Sequence, residues 1–342
     1  MSLCFQNISH TYEKETALID INLSAEEGEI LCLLGQSGCG KTTLLNLTAG
    51  ILPLQRGKIL LNGDELASSN YHPPPEKRPV GLVFQEGALF PHLTVEQNIA
   101  FGLTNKSSRK RIVGELLDQI GLSGYEGRYP HTLSGGQQQR VAVARALAPE
   151  PKVLLMDEPF ANIDIMLRRH LREEMRTLLK ARNCITILVT HDPEEAIETS
   201  DSIAIMDKGV IIQHGQADIL YEAPVSRIAA MLIGDGVLLK AQRANGVYET
   251  AFGHFPDKWF KAHSSVSGSQ NCEVLIRPNQ IALSEDLSGL LITDVRRTGQ
   301  SQLATVLSPE GQSLTLHVEK DVNWQVGQKV KLSANSDSLI AF

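Results

Sequence analysis

Residues 35–42 read Gly35-Gln36-Ser37-Gly38-Cys39-Gly40-Lys41-Thr42, a stretch that fits the phosphate-binding pattern G-x-x-x-x-G-K-S/T at every fixed position. The glycines let the backbone take positive φ values and approach an anion closely, so that successive N–H groups point inward. In this pattern Lys41 reaches the outer phosphates of a nucleotide, and the Thr42 hydroxyl is able to ligate Mg²⁺. The stretch therefore predicts a nucleotide-binding loop, but by itself it does not indicate how the nucleotide is used.

The segments on either side of this loop predict a strand and a helix. Residues 30–34 form a short apolar run, which is typical of a buried parallel strand. Residues 43–49 have the pattern of a helix, and the N-terminus of such a helix adds partial positive charge under bound phosphates. The order strand, loop, helix predicts an α/β domain around the loop.

Size and composition restrict the class of protein. A chain of 342 residues is long enough for about two domains, and a formal net charge of −7 does not favour a nucleic-acid partner. The five cysteines are scattered without a C-x-x-C pair, which indicates reduced thiols in a cytosol and no zinc site. We see no signal peptide and no apolar stretch near the ~20 residues of a membrane helix. If the protein serves a membrane process, we expect another chain to span the bilayer.

Three predicted strands end on polar residues. The strands are 80–84, 153–156 and 185–190, and the polar residues are Gln85, Asp157, Glu158 and His191. In a phosphate-loop protein, an aspartate at this place is directed at Mg²⁺, and its neighbour is able to polarise water. The alternatives are a strand that runs out into solvent and a structural histidine. Because the strands place polar groups at one edge of the sheet, we favour a functional site.

The segment from about residue 86 to residue 150 is predicted to be a helical insert between two strands of the sheet. Thr94 and Gln97 have the spacing of a capping box at the start of a helix. The same spacing recurs in the run Leu133-Ser134-Gly135-Gly136-Gln137. This run is either a well-capped helix or a second anion site, since a helix start with two bare glycines offers backbone N–H groups. Nothing local decides between these two interpretations.

Two short strands are predicted near the N-terminus, at residues 3–11 and 17–24. Tyr12 lies just before the turn between them. An aromatic at this place is able to stack on an adenine ring, and the alternative is an ordinary tyrosine at the end of a strand.

Taken in order, these elements resemble the nucleotide-binding subunit of an ATP-binding-cassette (ABC) importer over roughly residues 1–230. The Leu-Ser-Gly-Gly-Gln run together with the phosphate loop carries the resemblance, because other phosphate-loop ATPases lack this run. The resemblance implies an α/β phosphate-loop ATPase domain with a mixed sheet core, an antiparallel β edge and a helical subdomain. It also implies that two copies sit head to tail and clamp two ATP molecules, with Mg²⁺, between them.

The resemblance assigns roles to the residues of the site. The nucleotide would be bound by Tyr12, Gly35, Gln36, Ser37, Gly38, Cys39, Gly40, Lys41, Thr42 and Thr43, with Tyr12 stacked on adenine. From the opposite copy, the signature would cap the γ-phosphate through Leu133, Ser134, Gly135, Gly136 and Gln137. The Mg²⁺ ion would be addressed by Thr42, Gln85 and Asp157. Catalysis would fall to Glu158 as general base, to Gln85 at the attacking water and to His191 at the γ-phosphate.

The resemblance also implies partners and a place in the cell. Such subunits form a homodimer at the cytoplasmic face of the bacterial inner membrane and drive a separate integral membrane permease, which a periplasmic solute-binding protein supplies. The permease would be driven through the region after Gln85. The loop after the carboxylates usually reads Ser-Ala-Leu-Asp in this family, and here it reads Ala161-Asn162-Ile163-Asp164. Because Asp164 is kept, we expect communication across the dimer to be retained.

A second, β-rich domain is predicted at residues 233–342, after an ATP-binding domain at residues 1–232. Asn245-Gly246 is a hairpin signal between predicted strands at 237–243 and 247–252. Further short strands are predicted at 272–276, 290–298, 303–307, 314–318 and 329–333. Arg277-Pro278 is similar to a motif in the C-terminal regulatory domain of importer ATPases, which implies a small, partly open OB- or TOBE-like barrel that helps the chain to dimerise.

The solute is suggested by resemblance alone. Four stretches look like those of ferric-iron importer ATPases, namely residues 84–95, 128–131, 146–151 and 232–236. Sulfate, polyamine, phosphonate and sugar import are the alternatives, since none of these residues touches solute. ATPases of DNA repair and chromosome organisation share the signature but need long coiled-coil heptads, and translation-regulating ones usually carry two cassettes. The sequence shows neither feature, so an import ATPase is expected.

Overall fold

The computed structural model describes residues 1–13, 15–85, 88–161, 163, 165–261, 270–278, 280–297, 302–318 and 322–342. The chain divides into two compact units, Met1–Glu222 and Ala223–Phe342. The ranges 1–232 and 233–342 remain predictions of the functional domains.

The first unit contains both strands and helices. Its strands are β1 (Ser2–Tyr12), β2 (Glu15–Glu26), β3 (Ile30–Leu34), β4 (Arg56–Leu61), β5 (Asp64–Ser68), β6 (Val80–Val83), β7 (Val153–Asp157), β8 (Ile185–Thr190), β9 (Ser202–Asp207) and β10 (Val210–Gly215). Its helices are α1 (Lys41–Ala49), α2 (Val95–Ile99), α3 (Arg109–Gln119), α4 (Gly135–Leu147), α5 (Ile165–Arg182), α6 (Pro193–Thr199) and α7 (Ala217–Glu222). None of the described helices is long and apolar enough to cross a membrane.

Two sheets and α1 share one hydrophobic core in this unit. The described strands form a mixed six-stranded sheet in the order β10-β9-β3-β8-β7-β6 and an antiparallel sheet in the order β2-β1-β4-β5. Every residue of β3 and β8 is buried, which explains why neither strand alternates between apolar and exposed polar residues. Leu44 and Leu47 of α1 pack in the same cluster as Phe5 of the antiparallel sheet and Leu155 of the mixed sheet. The sequence predicted this α/β architecture with its antiparallel edge, and the structure confirms it.

The parallel strands bring the predicted site residues to one edge of the mixed sheet. β3 pairs with β8, β8 with β7 and β7 with β6, all in parallel. Leu34 at the end of β3 pairs with Thr190 at the end of β8, and Asp157 at the end of β7 pairs with Val189. The carboxyl ends of these strands therefore lie side by side, as the sequence predicted.

The segment between β6 and β7 is helical, as predicted, and both capping boxes are present. The Thr94 side chain accepts from the Gln97 backbone N–H, and the Gln97 side chain accepts from the Thr94 N–H. Gly121 takes a left-handed conformation with φ 66° just after α3, as is typical of a glycine that ends a helix.

Some local predictions were wrong. The four prolines of the stretch 72–79 predict a stiff loop without a helix, but Pro75–Lys77 form a single 3₁₀ turn, which a proline tolerates at a first helical position. The short strand β5 was missed. Asp64 and Glu65 at its start are exposed, so an apolar run was lacking there.

The second unit is mostly β-structure. Its elements are α8 (Arg227–Ile233), β11 (Val237–Ala244), β12 (Val247–Thr250), β13 (Gly253–Pro256), β14 (Gln270–Ile276), β15 (Ile281–Arg297), β16 (Gln302–Leu307), β17 (Ser313–Val318), β18 (Lys329–Ala334) and β19 (Ile340–Ala341). The described strands pair as β13-β12-β11-β14-β19 and as β17-β16-β15-β18. One core cluster joins the two sheets, with Phe255 and Val274 from the first and Ile292 and Leu316 from the second.

The sequence predicted the hairpin of this unit but not all of its strand ends. Asn245 and Gly246 have φ 52° and 78°, as a two-residue hairpin turn requires. The predicted strand 247–252 ends early, at Thr250, as β12. The chain then turns, and the next strand, β13, starts at Gly253, which has φ 117°. β15 starts at Ile281 instead of residue 290, since an irregularity between Glu285 and Leu290 breaks its alternating pattern.

Candidate active site

The glycines of the loop 35–42 are needed for three different reasons. A Cβ on Gly35 would lie 2.3 Å from the carbonyl oxygen of Met206, so close approach of two backbones excludes a side chain. Gly40 has φ 105°, and a Cβ there would also lie 2.4 Å from the oxygen of Ala17. Gly38 has φ 83° and nothing within 4 Å of its Cβ position. The loop is therefore packed tightly against the sheet on one side and open at Gly38.

Lys41 is folded back on the loop. Its Nζ donates to the carbonyl oxygens of Gly35 at 2.7 Å and Gln36 at 3.0 Å, and the side chain is 5% exposed. α1 begins at Lys41, two residues earlier than predicted, with no side-chain cap at Gly40 and no acidic residue in its first turn. Backbone N–H groups and the positive end of the helix dipole are thus left for an anion. This arrangement fits a phosphate group.

Tyr12 lies beside the first turn of α1. Its hydroxyl is 3.4 Å from Oγ1 of Thr43, and its ring packs edge-on against the ring of His10 at a centroid distance of 4.8 Å. The Tyr12 side chain is 43% exposed, so part of the ring is accessible from solvent. The position beside the loop suits the stacking role, which stays a prediction.

Thr42 and Asp157 face each other across the gap between α1 and β7. Thr42 Oγ1 lies 3.4 Å from Asp157 Oδ1. Burial raises the pKa of Asp157, and the neighbouring Glu158 carboxylate raises it further, while the Thr42 hydrogen bond and Lys41 lower it. A hydroxyl and a carboxylate are oxygen ligands of the kind that Mg²⁺ takes, and adjacent ligands of an octahedral Mg²⁺ lie about 2.9 Å apart. These two side chains fit the ion, and a cation there would also favour the ionised form of Asp157.

Glu158 follows β7 and contacts the residues that follow the neighbouring strands β6 and β8. It has φ 44°, a left-handed conformation uncommon for this residue, and its N–H donates to the Val189 oxygen at 2.9 Å. Its Oε1 lies 2.9 Å from His191 Nδ1, and its Oε2 accepts from Gln85 Nε2 at 3.1 Å. The sequence predicted that these side chains would share one edge of the sheet, and the structure brings them into direct contact.

The signature run forms the start of α4. Ser134 Oγ accepts from the Gln137 N–H at 3.3 Å, and Gln137 Oε1 accepts from the Ser134 N–H at 3.0 Å. The interpretation as a well-capped helix is confirmed, and it leaves the anion-site interpretation open. Among the hydrogen bonds of the described residues, none joins this run to the loop 35–42 of the same chain. Asp164 lies outside the described residues.

The polar network behind His191 was not predicted from the sequence. Thr190 Oγ1 donates to Glu195 Oε2 at 2.5 Å, and the buried Arg172 donates to Asp192 Oδ2 at 2.8 Å. One local signal was available in the sequence, because Glu195 stands three residues after the helix cap Asp192. Its burial depends on how α6 packs, which the sequence does not reveal.

Comparison with known proteins places the chain in a family. It is 40% identical to "Sulfate/thiosulfate import ATP-binding protein CysA" of Gloeobacter violaceus over 329 residues, which cover 94% of this chain and 89% of the relative. This chain belongs to the family of ABC transporter ATP-binding import subunits. A family model described as "ABC transporter" also matches residues 18–161.

Other ABC import subunits match over similar lengths. "Fe(3+) ions import ATP-binding protein FbpC" of Escherichia coli O157:H7 is 39% identical, over 92% of this chain and 89% of the relative. "Spermidine/putrescine import ATP-binding protein PotA" of Acetivibrio thermocellus is 42% identical, over 82% of this chain and 79% of the relative. These names cover three kinds of solute, so the comparison does not identify ferric iron as the solute of this chain.

A solved structure shares the ABC fold. It is titled "Dimeric structure of a post-hydrolysis state of the ATP-binding cassette MJ0796 bound to ADP and Pi". The match has a TM-score of 0.54 at 27% sequence identity and covers 63% of this chain and 98% of the other. The ABC ATPase fold of the chain is therefore supported by structure as well as by sequence.

Proposed function

We propose that this chain is the ATP-hydrolysing subunit of an ABC import complex. One observation carries the proposal: Glu158 hydrogen-bonds both Gln85 and His191 at the sheet edge that also holds the phosphate loop. A carboxylate at this place is able to take a proton from water beside a bound phosphate chain. The family relationship supports the same activity.

The nucleotide is proposed to bind along the loop. Gly35 to Thr43 would hold the phosphates through backbone N–H groups, and Lys41 would exchange its contacts with loop carbonyls for contacts with phosphate oxygens. The Tyr12 ring would stack on the adenine. The ADP bound by the structural relative agrees with this use of the fold.

Mg²⁺ is proposed as the cofactor, held by Thr42, Asp157 and Gln85. When bound, it would offset the negative charge that develops on the phosphates. The other steps would depend on protein side chains. Glu158 would accept the proton of the attacking water, Gln85 would orient that water, and His191 would hold the γ-phosphate while remaining bonded to Glu158.

The complete site is proposed to form only in a homodimer. The signature, at Leu133 to Gln137, caps its own helix and has no hydrogen bond to the described loop of the same chain. Head-to-tail pairing would bring the signature of one copy onto the γ-phosphate bound by the other. The structural relative is a dimer with ADP and phosphate, which supports this arrangement.

The subunit is proposed to act at the cytoplasmic face of the bacterial inner membrane. It would drive an integral membrane permease that receives solute from a periplasmic binding protein, and it would bind no nucleic acid. The β-rich domain predicted at residues 233–342 would regulate the dimer or help to hold it together. The names of the relatives, all import ATP-binding proteins, support this role.

Ferric iron is the solute that we propose, on the resemblance of residues 84–95, 128–131, 146–151 and 232–236 to ferric-iron importer ATPases. Sulfate is the second candidate, because a sulfate-named relative matches this chain as extensively as the iron-named one. Polyamine, phosphonate and sugar remain further alternatives. This chain is not expected to contact the solute, so the assignment rests on the resemblance and not on a solute-binding site.

Uptake measurements test activity and solute together. The host is a strain in which this chain is the subunit that drives uptake. When Glu158→Gln replaces the parent protein there, we expect uptake of radioactive ferric iron to stop and uptake of radioactive sulfate to continue. Loss of sulfate uptake with iron uptake intact would overturn the solute assignment. Normal uptake of every solute, with a protein that hydrolyses no ATP, would overturn the import function itself.

A further inference from the structure

A buried carboxyl lies directly behind the junction between β8 and α6, where His191 is located. Glu195 is the third residue of α6 and is only 4% exposed. Thr190 Oγ1 donates to Glu195 Oε2 at 2.5 Å, and the backbone N–H of Asp192 donates to the same Thr190 oxygen at 3.0 Å. One hydroxyl group therefore fixes the chain immediately before and immediately after His191.

The residue after His191 is held from two further sides. Asp192 Oδ1 accepts from the backbone N–H of Glu194 at 2.9 Å and of Glu195 at 3.3 Å, which caps α6. Its Oδ2 accepts from Arg172 of α5 at 2.8 Å, and Arg172 is itself 4% exposed. The residues on both sides of His191 are anchored in this way, and the His191 side chain, 57% exposed, extends from them to Glu158.

We propose that Glu195 is a positioning residue for His191: its carboxylate orients the Thr190 hydroxyl, and through this hydroxyl it keeps the His191 ring against Glu158. The inference rests on the proposed ATPase function of Glu158 and His191. Glu195 does not reach the nucleotide loop through any hydrogen bond of the described residues, so its effect would pass through Thr190.

The strength of the hydrogen bond between Thr190 and Glu195, and with it the positioning of His191, should depend on pH. The charged and titratable groups that face Glu195 are Arg168 and Arg172 of α5, Asp192 at the start of α6, and Cys32 of β3. Burial raises the pKa of Glu195 to about 7, against the Thr190 hydrogen bond and the two arginines, which lower it. A hydrogen bond to an ionised carboxylate is about twice as strong as one to a neutral group. His191 should therefore be held more firmly above pH 7 than below it.

The pH dependence of kcat in the full-length protein tests the inference. Glu195→Gln keeps the shape and an acceptor but has no charge, and Glu194→Gln is the matched control on the exposed side of α6. The ratio of the parent kcat to the Glu195→Gln kcat should be about five-fold above pH 8 and approach one below pH 6. Effects of pH that are common to both proteins cancel in this ratio. A ratio that does not change with pH would overturn the inference while leaving the ATPase function intact.

Three additional variants guard against a general loss of structure. Thr190→Val should lower kcat, Thr190→Ser should not, and combining Thr190→Val with Glu195→Gln should cost no more than Thr190→Val alone. A purely structural role for Glu195 would lower stability and kcat together, whereas a positioning role lowers kcat in a protein that stays folded. Additive losses in the double variant would contradict the proposal.

Hydrogen exchange provides a measurement that needs no ATPase activity. The amide of Asp192 should exchange about five-fold faster in Glu195→Gln than in the parent or in Glu194→Gln at pH 8. If the parent hydrolysed no ATP but this difference appeared, the positioning of the junction would stand and the proposed function would fail. Equal exchange in the three proteins would overturn the positioning.

Discussion

His191 Nδ1 lies 2.9 Å from Glu158 Oε1, so the side chains at the ends of two neighbouring parallel strands share a hydrogen bond. An ionised carboxylate only accepts, and Nδ1 is therefore the protonated ring nitrogen in this pair. The second carboxylate oxygen is occupied by Gln85, which leaves Glu158 oriented from both sides. A base that is oriented before substrate arrives does not lose rate to reorganisation during the reaction.

Removing the charge of Glu158 should stop hydrolysis without stopping binding. We expect Glu158→Gln to lower kcat by about a thousand-fold, because a glutamine cannot accept the proton of the attacking water. The affinity for ATP should change little, and ATP should hold the variant as a dimer. Turnover and size-exclusion chromatography with ATP measure both effects, with the exposed Glu173→Gln as control. Turnover near the parent rate would show that the base is elsewhere.

Mixed dimers should reveal whether the signature acts on the opposite copy. Lys41→Ala disables a phosphate loop, and Ser134→Arg disables a signature. If the sites are shared head to tail, a dimer with Lys41→Ala in one copy and Ser134→Arg in the other keeps one intact site and about half of the activity. A dimer of the double variant with the parent protein would then keep none. ATPase assays on dimers purified through two different tags measure the activity of each combination. Activity in the dimer of the double variant with the parent, and none in the dimer of the two single variants, would place each signature over its own loop.

Crowding at Gly35 should make this glycine sensitive to even a small side chain. In Gly35→Ala the new Cβ meets the Met206 oxygen at 2.3 Å, and we expect a loss of about 2–4 kcal/mol in the free energy of unfolding. Gly63→Ala is the matched control. Gly63 has φ 84° but open space around it, so backbone strain of about 1 kcal/mol is the only expected cost. Urea unfolding measures both, and equal losses would contradict the steric argument.

The buried Glu195 should make stability depend on pH. Its pKa is 4.5 as a free side chain and about 7 in the fold. Between these values the folded protein holds a proton that the unfolded chain has lost, so the free energy of unfolding falls as the pH rises from about 5 to 7 and then stays level. The loss is at most about 3 kcal/mol.

Glu195→Gln should lack this part of the pH dependence. Relative to the parent, the variant should become more stable as the pH rises to 8, while its kcat at that pH is lower. Denaturant unfolding at pH 5 and pH 8 measures the change, and Glu194→Gln should follow the parent at both values. A variant whose stability tracks the parent at every pH would show that Glu195 titrates normally.

Local features were predictable because they depend on residues close in sequence. The capping boxes at Thr94 and Ser134 each need only a partner three residues away, and both are present in the structure. Two of the wrong predictions, at 72–79 and 247–252, concern single turns in which one proline or one glycine changes the local geometry.

The sequence by itself determined the phosphate loop, the order of the strands along the chain and the polar residues on which the strands end. Short-range spacing is sufficient for these features, since each follows from the conformational preferences of a few neighbouring residues. Only the tertiary structure decided that Gln85, Glu158 and His191 touch, and that Glu195 is buried behind His191 and holds Thr190. These contacts depend on the strand order β3-β8-β7-β6 and on the packing of α6, which are set by pairings between residues far apart in the chain.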